Sequence, residues 1–106
     1  MAYEQVLAAL ADPTRRQLFE RVRERDYSVG ELANTLNITQ PAASQHLRVL
    51  RDANLVIDRR DGARRYYRVN PEGLAELRRY VESLWDGALE AFATEDPEAR
   101  KGERTP

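Results

Sequence analysis

The 106-residue chain contains no cysteine. Disulfides, thiolate metal ligands and thiol redox chemistry are thereby excluded. Its single histidine, His46, has no carboxylate cluster at ligand spacing around it, so no metal site is expected. Ser44 and His46 stand two residues apart. On a helix such neighbours point in different directions and form no nucleophile–base pair. A glycine-rich phosphate loop is also missing, and neither enzymatic activity nor a cofactor is expected. Long hydrophobic runs are absent too. The opening MAYEQVLAAL lacks a basic leader region and its apolar run is broken by Glu4 and Gln5, so it reads as neither a signal peptide nor a membrane span. A cytoplasmic protein without membrane contact is the expectation.

What is present fits one folded unit. With 42% apolar and 33% charged residues, the chain has the balance of a globular domain rather than a disordered one. Its length suits a single core. The formal net charge of −1 at first disfavours a polyanion as partner. The distribution of charge says otherwise. Residues 39–70 carry seven arginines (48, 51, 59, 60, 64, 65 and 68) against three aspartates, whereas both flanking segments are net acidic. DNA affinity depends on the local field, which makes the middle third the natural docking region. Sixteen of the seventeen basic residues are arginine, whose planar fork suits phosphates and guanine edges.

Apolar spacing divides the chain into five helices and one hairpin. Residues 3–11 form a first helix with Val6, Leu7 and Leu10 on one face. Asp12-Pro13 starts a second, as N-cap and first helical residue, with Leu18, Phe19 and Val22 as its stripe. Ser28 with Glu31 three residues on forms a capping box for a short third helix carrying Leu32, Ala33 and Leu36. After a break at Asn37-Ile38-Thr39, residues 40–53 resume the pattern with Ala43, Leu47 and Leu50. Two short helices joined by such a turn are the layout of a helix-turn-helix. Residues 55–60 and 64–69 then read as strands around a tight turn at Asp61-Gly62. Pro71 opens a long last helix. The predicted class is mostly α with a small β-hairpin wing, a winged helix-turn-helix in the order α-α-α-α-β-β-α. Residues 1–93 form that domain, and 94–106 read as a disordered tail.

If Ala43, Leu47 and Leu50 face inward, Gln40, Pro41, Ser44, Gln45 and Arg48 face outward. Amide forks, a hydroxyl and a guanidinium are the side chains that read base edges and phosphates in the major groove. Thr39 and His46 belong to the same segment and complete the candidate DNA-binding set on it. Arg59, Arg60, Arg64 and Arg65 surround the hairpin turn. Four cations at one tip repel each other unless an anion such as a DNA backbone relieves them. The simpler alternatives are a solvated helix face and an edge kept soluble by charge. Tyr66 and Tyr67 lie on opposite strand faces, so one of them is core.

Leu74, Leu77, Val81, Leu84, Trp85, Ala88 and Phe92 recur at three- and four-residue steps along the last helix. So large a stripe is hard to bury within one small subunit. A homodimer interface built from Val6, Leu7, Leu10, Leu77, Val81, Leu84, Trp85, Ala88 and Phe92 is expected, the alternative being a helix folded back on its own core. Two-fold symmetry matches an inverted-repeat operator in double-stranded DNA. An apolar ligand pocket near Trp85 is a subsidiary expectation.

Four stretches carry a family resemblance: LADPTRRQLF at 10–19, SVGELANTLNITQPAASQHLRVLRDANLV at 28–56, RRDGARRYYRV at 59–69, and the helix after Pro71. Together they resemble the ArsR/SmtB-type bacterial repressors. The resemblance implies a winged helix-turn-helix dimerising through its first and last helices. It also implies an operator near the protein's own promoter, repressed until an inducer acts. Metal-sensing members place a cysteine pair where this chain has Ser28 and Gly30, and others place Asp and His ligands on a last helix that here contains no histidine. What remains is a repressor unresponsive to metals, with a small-molecule inducer, a regulatory partner or its own concentration as the signal.

Overall fold

A computed structural model describes residues 2–94. Five helices and three strands follow one another: α1 (Ala2–Ala11), α2 (Pro13–Glu24), β1 (Tyr27–Ser28), α3 (Val29–Leu36), α4 (Gln40–Asp52), β2 (Val56–Asp61), β3 (Arg64–Val69) and α5 (Pro71–Thr94). The tail expected at 94–106 lies outside the described residues, apart from Thr94, which ends α5.

The helix breaks are fixed by caps. Asp12 accepts from the Thr14 N–H at 2.8 Å and the Arg15 N–H at 3.2 Å, with Pro13 in the first turn of α2 where its missing N–H costs nothing. Arg15 and Arg16 then reach back to the end of α1. Arg15 Nε donates to the Ala9 carbonyl at 2.8 Å, and one Arg16 nitrogen donates to Leu10 and Ala11 at 2.8 and 3.1 Å. One short segment thus caps the start of α2 and neutralises the negative end of α1. At Ser28 the capping box is complete, with Oγ accepting from the Glu31 N–H at 3.1 Å and Glu31 accepting from the Ser28 N–H at 2.9 Å. Asn37 ends α3 in the left-handed conformation (φ 56°), a position asparagine tolerates.

The sheet has three antiparallel strands in the order β1-β3-β2, one more than the predicted hairpin. β1 pairs Tyr27 with Tyr67 and Ser28 with Tyr66. Two residues are too few for any alternation signal, and this pairing is long-range, so spacing along the chain does not reveal it. The hairpin turn also shifts by one residue. Asp61 pairs with Arg64, leaving Gly62-Ala63 as the two-residue loop. Gly62 takes positive φ (63°) at the first loop position and Ala63 does not, the pattern of a II′ turn.

The core gathers Val6 and Ala9 from α1, Leu18, Phe19 and Val22 from α2, Leu32 from α3, Leu47 and Leu50 from α4, and Leu55, Val56 and Tyr67 from the region of the wing. Of Tyr66 and Tyr67, Tyr67 is therefore the core member. α5 divides in two. Leu74 and Leu77 pack on this core, and Tyr80 stacks on Tyr3 of α1 with centroids 4.2 Å apart. From Val81 to residue 93 the helix leaves the core and its side chains are exposed.

The Asp12 carboxyl is held below its usual pKa, chiefly by the Arg15 N–H and then by the Thr14 N–H, with the Arg15 and His46 charges adding to them. The Glu31 carboxyl is lowered chiefly by the Ser28 N–H. Both folded values lie below the unfolded ones, so this stabilisation is complete at neutral pH and is lost as pH falls from about 4 through the depressed values. An Asp12→Asn protein is expected to unfold at lower urea than wild type at pH 7, the gap closing towards pH 3. A gap of equal size at both pH values would contradict a charge-based cap.

Candidate nucleic-acid interface

Thr39 Oγ1 accepts from the Ala42 N–H at 3.2 Å and starts α4, with Pro41 in its first turn. Ala43, Leu47 and Leu50 are completely buried, which sets the roll of the helix. Thr39, Gln40, Pro41, Ser44, Gln45 and Arg48 are consequently all exposed. His46 is placed differently. It is half-buried, and its charge acts on the Asp12 carboxylate at the start of α2.

Between the two helices of the motif and the wing runs a groove of about 740 Å³. Gln40, Ser44, Arg48 and Arg51 line it from α4, Asn34 from α3, and Arg64 and Arg65 from the wing. Arg51 and Asn34 were not among the expected site residues. Arg51 nevertheless extends the stripe Gln40, Ser44, Arg48 by a further three residues, a spacing that marks one helix face. Four guanidiniums around one concavity give it a positive field. Glu31 is the acidic group among the lining residues, and it is already engaged by the Ser28 N–H and by Arg25 at 3.7 Å. Pro41 and Gln45 stand outside the groove on the crest of α4.

The wing arginines do not form the uncompensated cluster that their order in the chain suggests. Arg59 lies over the Tyr66 ring, 4.8 Å from its centroid, and reaches Asp26 at 3.5 Å and Asp61 at 3.9 Å. Arg65 pairs with Asp58 at 3.2 Å. Arg60 and Arg64 have no ion-pair partner among the described residues. Asp58 and Asp61 of β2, with Asp26, thus occupy two of the four arginines around the turn, and Arg60 and Arg64 remain available to an external anion.

The residues expected at a dimer interface fall into three groups. Val6, 1% exposed, belongs to the subunit's own core and has no surface to offer a partner. Leu10 and Leu77 pack partly against that core. Leu7, Val81, Leu84, Trp85, Ala88 and Phe92 are exposed, Trp85 by 67%, and Leu89 joins them at 50%. Of the adjacent Val6 and Leu7 on α1, the core takes Val6 and leaves Leu7 42% exposed. Among the described residues no group of three or more His, Cys, Asp or Glu side chains is placed to hold a metal ion. No helix among them is long and apolar enough to cross a membrane.

A helix-turn-helix on a helical core, followed by a basic two-stranded wing, defines a winged helix-turn-helix DNA-binding protein. The profile of the bacterial regulatory proteins of the arsR family matches residues 12–58. The chain is 49% identical over 85 residues to the HTH-type transcriptional regulator Rv2034 of Mycobacterium tuberculosis, covering 80% of this chain and 79% of that protein. It is 37% identical over 65 residues to the transcriptional repressor SdpR of Bacillus subtilis, covering 61% of this chain and 72% of the other. Among solved structures it is similar to the homodimeric winged helix-turn-helix DNA-binding domain of Mb0332 from Mycobacterium bovis, described as a possible ArsR-family transcriptional regulator. The TM-score is 0.66 at 30% identity, over 80% of this chain and 79% of that one. The chain belongs to the ArsR family of bacterial regulators, and it is a DNA-binding transcription regulator rather than an enzyme.

Replacing Arg64 by alanine is expected to weaken binding to specific and random duplexes alike. It should also lower the slope of log affinity against log salt by about 0.9, the share of one phosphate contact. Fluorescence anisotropy between 50 and 200 mM salt measures both quantities, and an unchanged slope would place Arg64 off the backbone.

Proposed function

We propose that the protein is a homodimeric, sequence-specific transcriptional repressor whose operator is an inverted repeat in double-stranded DNA near its own promoter. The observation that carries this reading is the arginine-lined groove between α4 and the wing, continuous with the exposed crest of α4. α4 enters the major groove. Pro41 and Gln45 on its crest, with Gln40 and Ser44 beside them, contact base edges, while Arg48, Arg51 and Arg64 hold the strand that separates the two DNA grooves, and Arg65 joins them by exchanging Asp58 for phosphate. Arg60 reaches the flanking backbone or minor groove from the tip of the wing. Residues 1–93 are the functional unit, and it works in the cytoplasm. SdpR, a relative at 37% identity, is named a transcriptional repressor, which supports repression over activation here.

The homodimer rests on the outer half of α5. Val81, Leu84, Trp85, Ala88, Leu89 and Phe92 follow the spacing of one helical face, and with Leu7 of α1 they make an apolar surface too extensive to leave in water. A second copy related by two-fold symmetry covers it and presents a second α4 to the next half-site. The homodimeric state of the Mb0332 domain supports this arrangement.

The signal is not a metal ion. There is no cysteine, α5 contains no histidine, and the Ser28 hydroxyl is committed to capping α3. An inducer, where one acts, is a small molecule or a partner protein; the protein's own concentration suffices as a signal where none does.

Band-shift titration with the DNA upstream of the protein's own gene, against a scrambled duplex at rising salt, tests the function. Selective retention as a dimer-sized complex is expected. Equal and weak binding to both duplexes contradicts autoregulation, and no salt-dependent binding at all would indicate a protein-interaction module on a winged-helix shell. Gln45→Ala should relax sequence preference while leaving the salt slope intact. A Leu84→Lys/Trp85→Lys protein alters only side chains exposed in the subunit, at 54% and 67%. It should sediment as a folded monomer and lose roughly 100-fold or more in operator affinity as two-site binding disappears. A variant that remains dimeric would contradict the assigned face.

A further inference from the structure

The end of α4 and the start of α5 are joined by a junction that DNA contact does not explain. Asn54, just beyond α4, takes positive φ (66°), and its N–H donates to the Arg51 carbonyl at 2.9 Å. Leu55 closes the same end by donating to Leu50 at 3.0 Å. Asn70, just before α5, uses every polar group facing this turn. Its N–H donates to the Leu55 carbonyl at 2.8 Å. Its side-chain Nδ2 donates to the Asn54 carbonyl at 3.1 Å and to Asn54 Oδ1 at 2.9 Å. Its Oδ1 accepts from the Glu72 N–H at 3.2 Å and so caps α5. Gly73, in the first turn of α5, lies against the same carbonyl, and a Cβ there would sit 1.9 Å from Asn54 O. The Asn54 peptide is thus wedged between the Asn70 amide and the Gly73 backbone.

We propose that Asn54, Asn70 and Gly73 are positioning residues that set the separation of operator half-sites by fixing the angle between α4 and α5. This rests on the reading of α4 as the DNA helix and of outer α5 as the dimer face. In such a dimer the direct route from one DNA helix to the symmetry axis runs through this junction and along α5. The 24-residue helix is about 36 Å long, so a pivot of about 5° at its root moves its far end by about 3 Å. That displacement is close to the 3.4 Å rise of one base pair. A dimer whose two reading heads must meet half-sites at a fixed multiple of the helical repeat needs a stiff joint at that root. Two amide hydrogen bonds and a side-chain-free close approach supply it, where a cap alone would require only Asn70 Oδ1.

Two substitutions loosen the joint without removing the elements. Asn54→Gly keeps the positive φ and deletes the Oδ1 acceptor. Asn70→Asp keeps an oxygen to cap α5 and deletes both donors. Each variant and the wild type are used, as full-length protein, to select duplexes from a random-sequence pool, and the recovered half-sites are then compared. Wild type is expected to recover inverted repeats of one spacing and to lose about tenfold in affinity for each inserted base pair. The variants should sediment as dimers, recover the same half-site sequence and show the same salt slope. They should, however, accept several spacings, losing under about threefold per inserted base pair. A purely structural role would lower the melting temperature and leave the spacing preference alone. Variant pools with the wild type's single spacing overturn the proposal by itself. A wild-type pool without paired half-sites overturns the dimeric DNA reading and the proposal with it.

Discussion

Complete burial of Ala43, Leu47 and Leu50 fixes the roll of α4, and the position of every outward side chain on that helix follows from it. A turn of one residue one way would bring Ser44, Arg48 and Arg51 to the core face, and one the other way Ala42, His46 and Val49, with both leucines leaving the core in either case. Truncating either buried leucine to alanine in a packed core costs about 2–5 kcal/mol, so the roll is held far more firmly than any surface contact could hold it. The groove-facing stripe of Gln40, Ser44, Arg48 and Arg51 is therefore a product of the core. α2 and α3 supply the other half of that clamp through Leu18 and Leu32, and the wing closes it through Leu55, Val56 and Tyr67.

Around this clamp the chain spends its polar groups on joints. α1 and α2 meet where Asp12 caps one helix while Arg15 and Arg16 cap the other. α3 begins at a reciprocal box, and α4 meets α5 at the paired asparagines. Short helices are marginal by themselves and depend on such ends together with tertiary packing. The wing follows a related economy. Asp58 and Asp61 on β2, with Asp26 beside it, compensate Arg59 and Arg65, while Arg60 and Arg64 stay free to meet phosphate. α5 ties the parts together. Its root belongs to the core, and its outer half is the exposed apolar face proposed to meet a second subunit.

Much of this was legible in the residues because it is local. The caps at Asp12 and Ser28 sit where their spacing puts them, and the stripes of α2, α3 and α4 follow helical periodicity. The features that escaped are those decided by distant partners. β1 exists only because β3 lies beside Tyr27 and Ser28. The choice of Tyr67 over Tyr66 for the core, and of Val6 over Leu7, depends on which face the sheet and α2 present. His46 lies in the expected segment yet is half-buried, unlike the exposed Ser44, Gln45 and Arg48 around it. The register slip at the hairpin has a different cause. Asp-Gly favours a I′ turn, but this loop uses Gly62 first and Ala63 second, so Asp61 remains a paired strand residue. Arg51 was a near miss: it counts in the basic middle third, and its place on the groove-facing stripe is periodic with Gln40, Ser44 and Arg48.

The most direct test of the central claim is dimethyl sulfate footprinting of the protein on a duplex that it selects. If α4 lies in the major groove of both half-sites, guanine N7 should be protected in two patches about one helical turn apart on the same DNA face. Protection of adenine N3 in the flanking minor grooves would mark the wings. A bound complex in which guanine N7 remains fully reactive would contradict the placement of α4 on which the account depends.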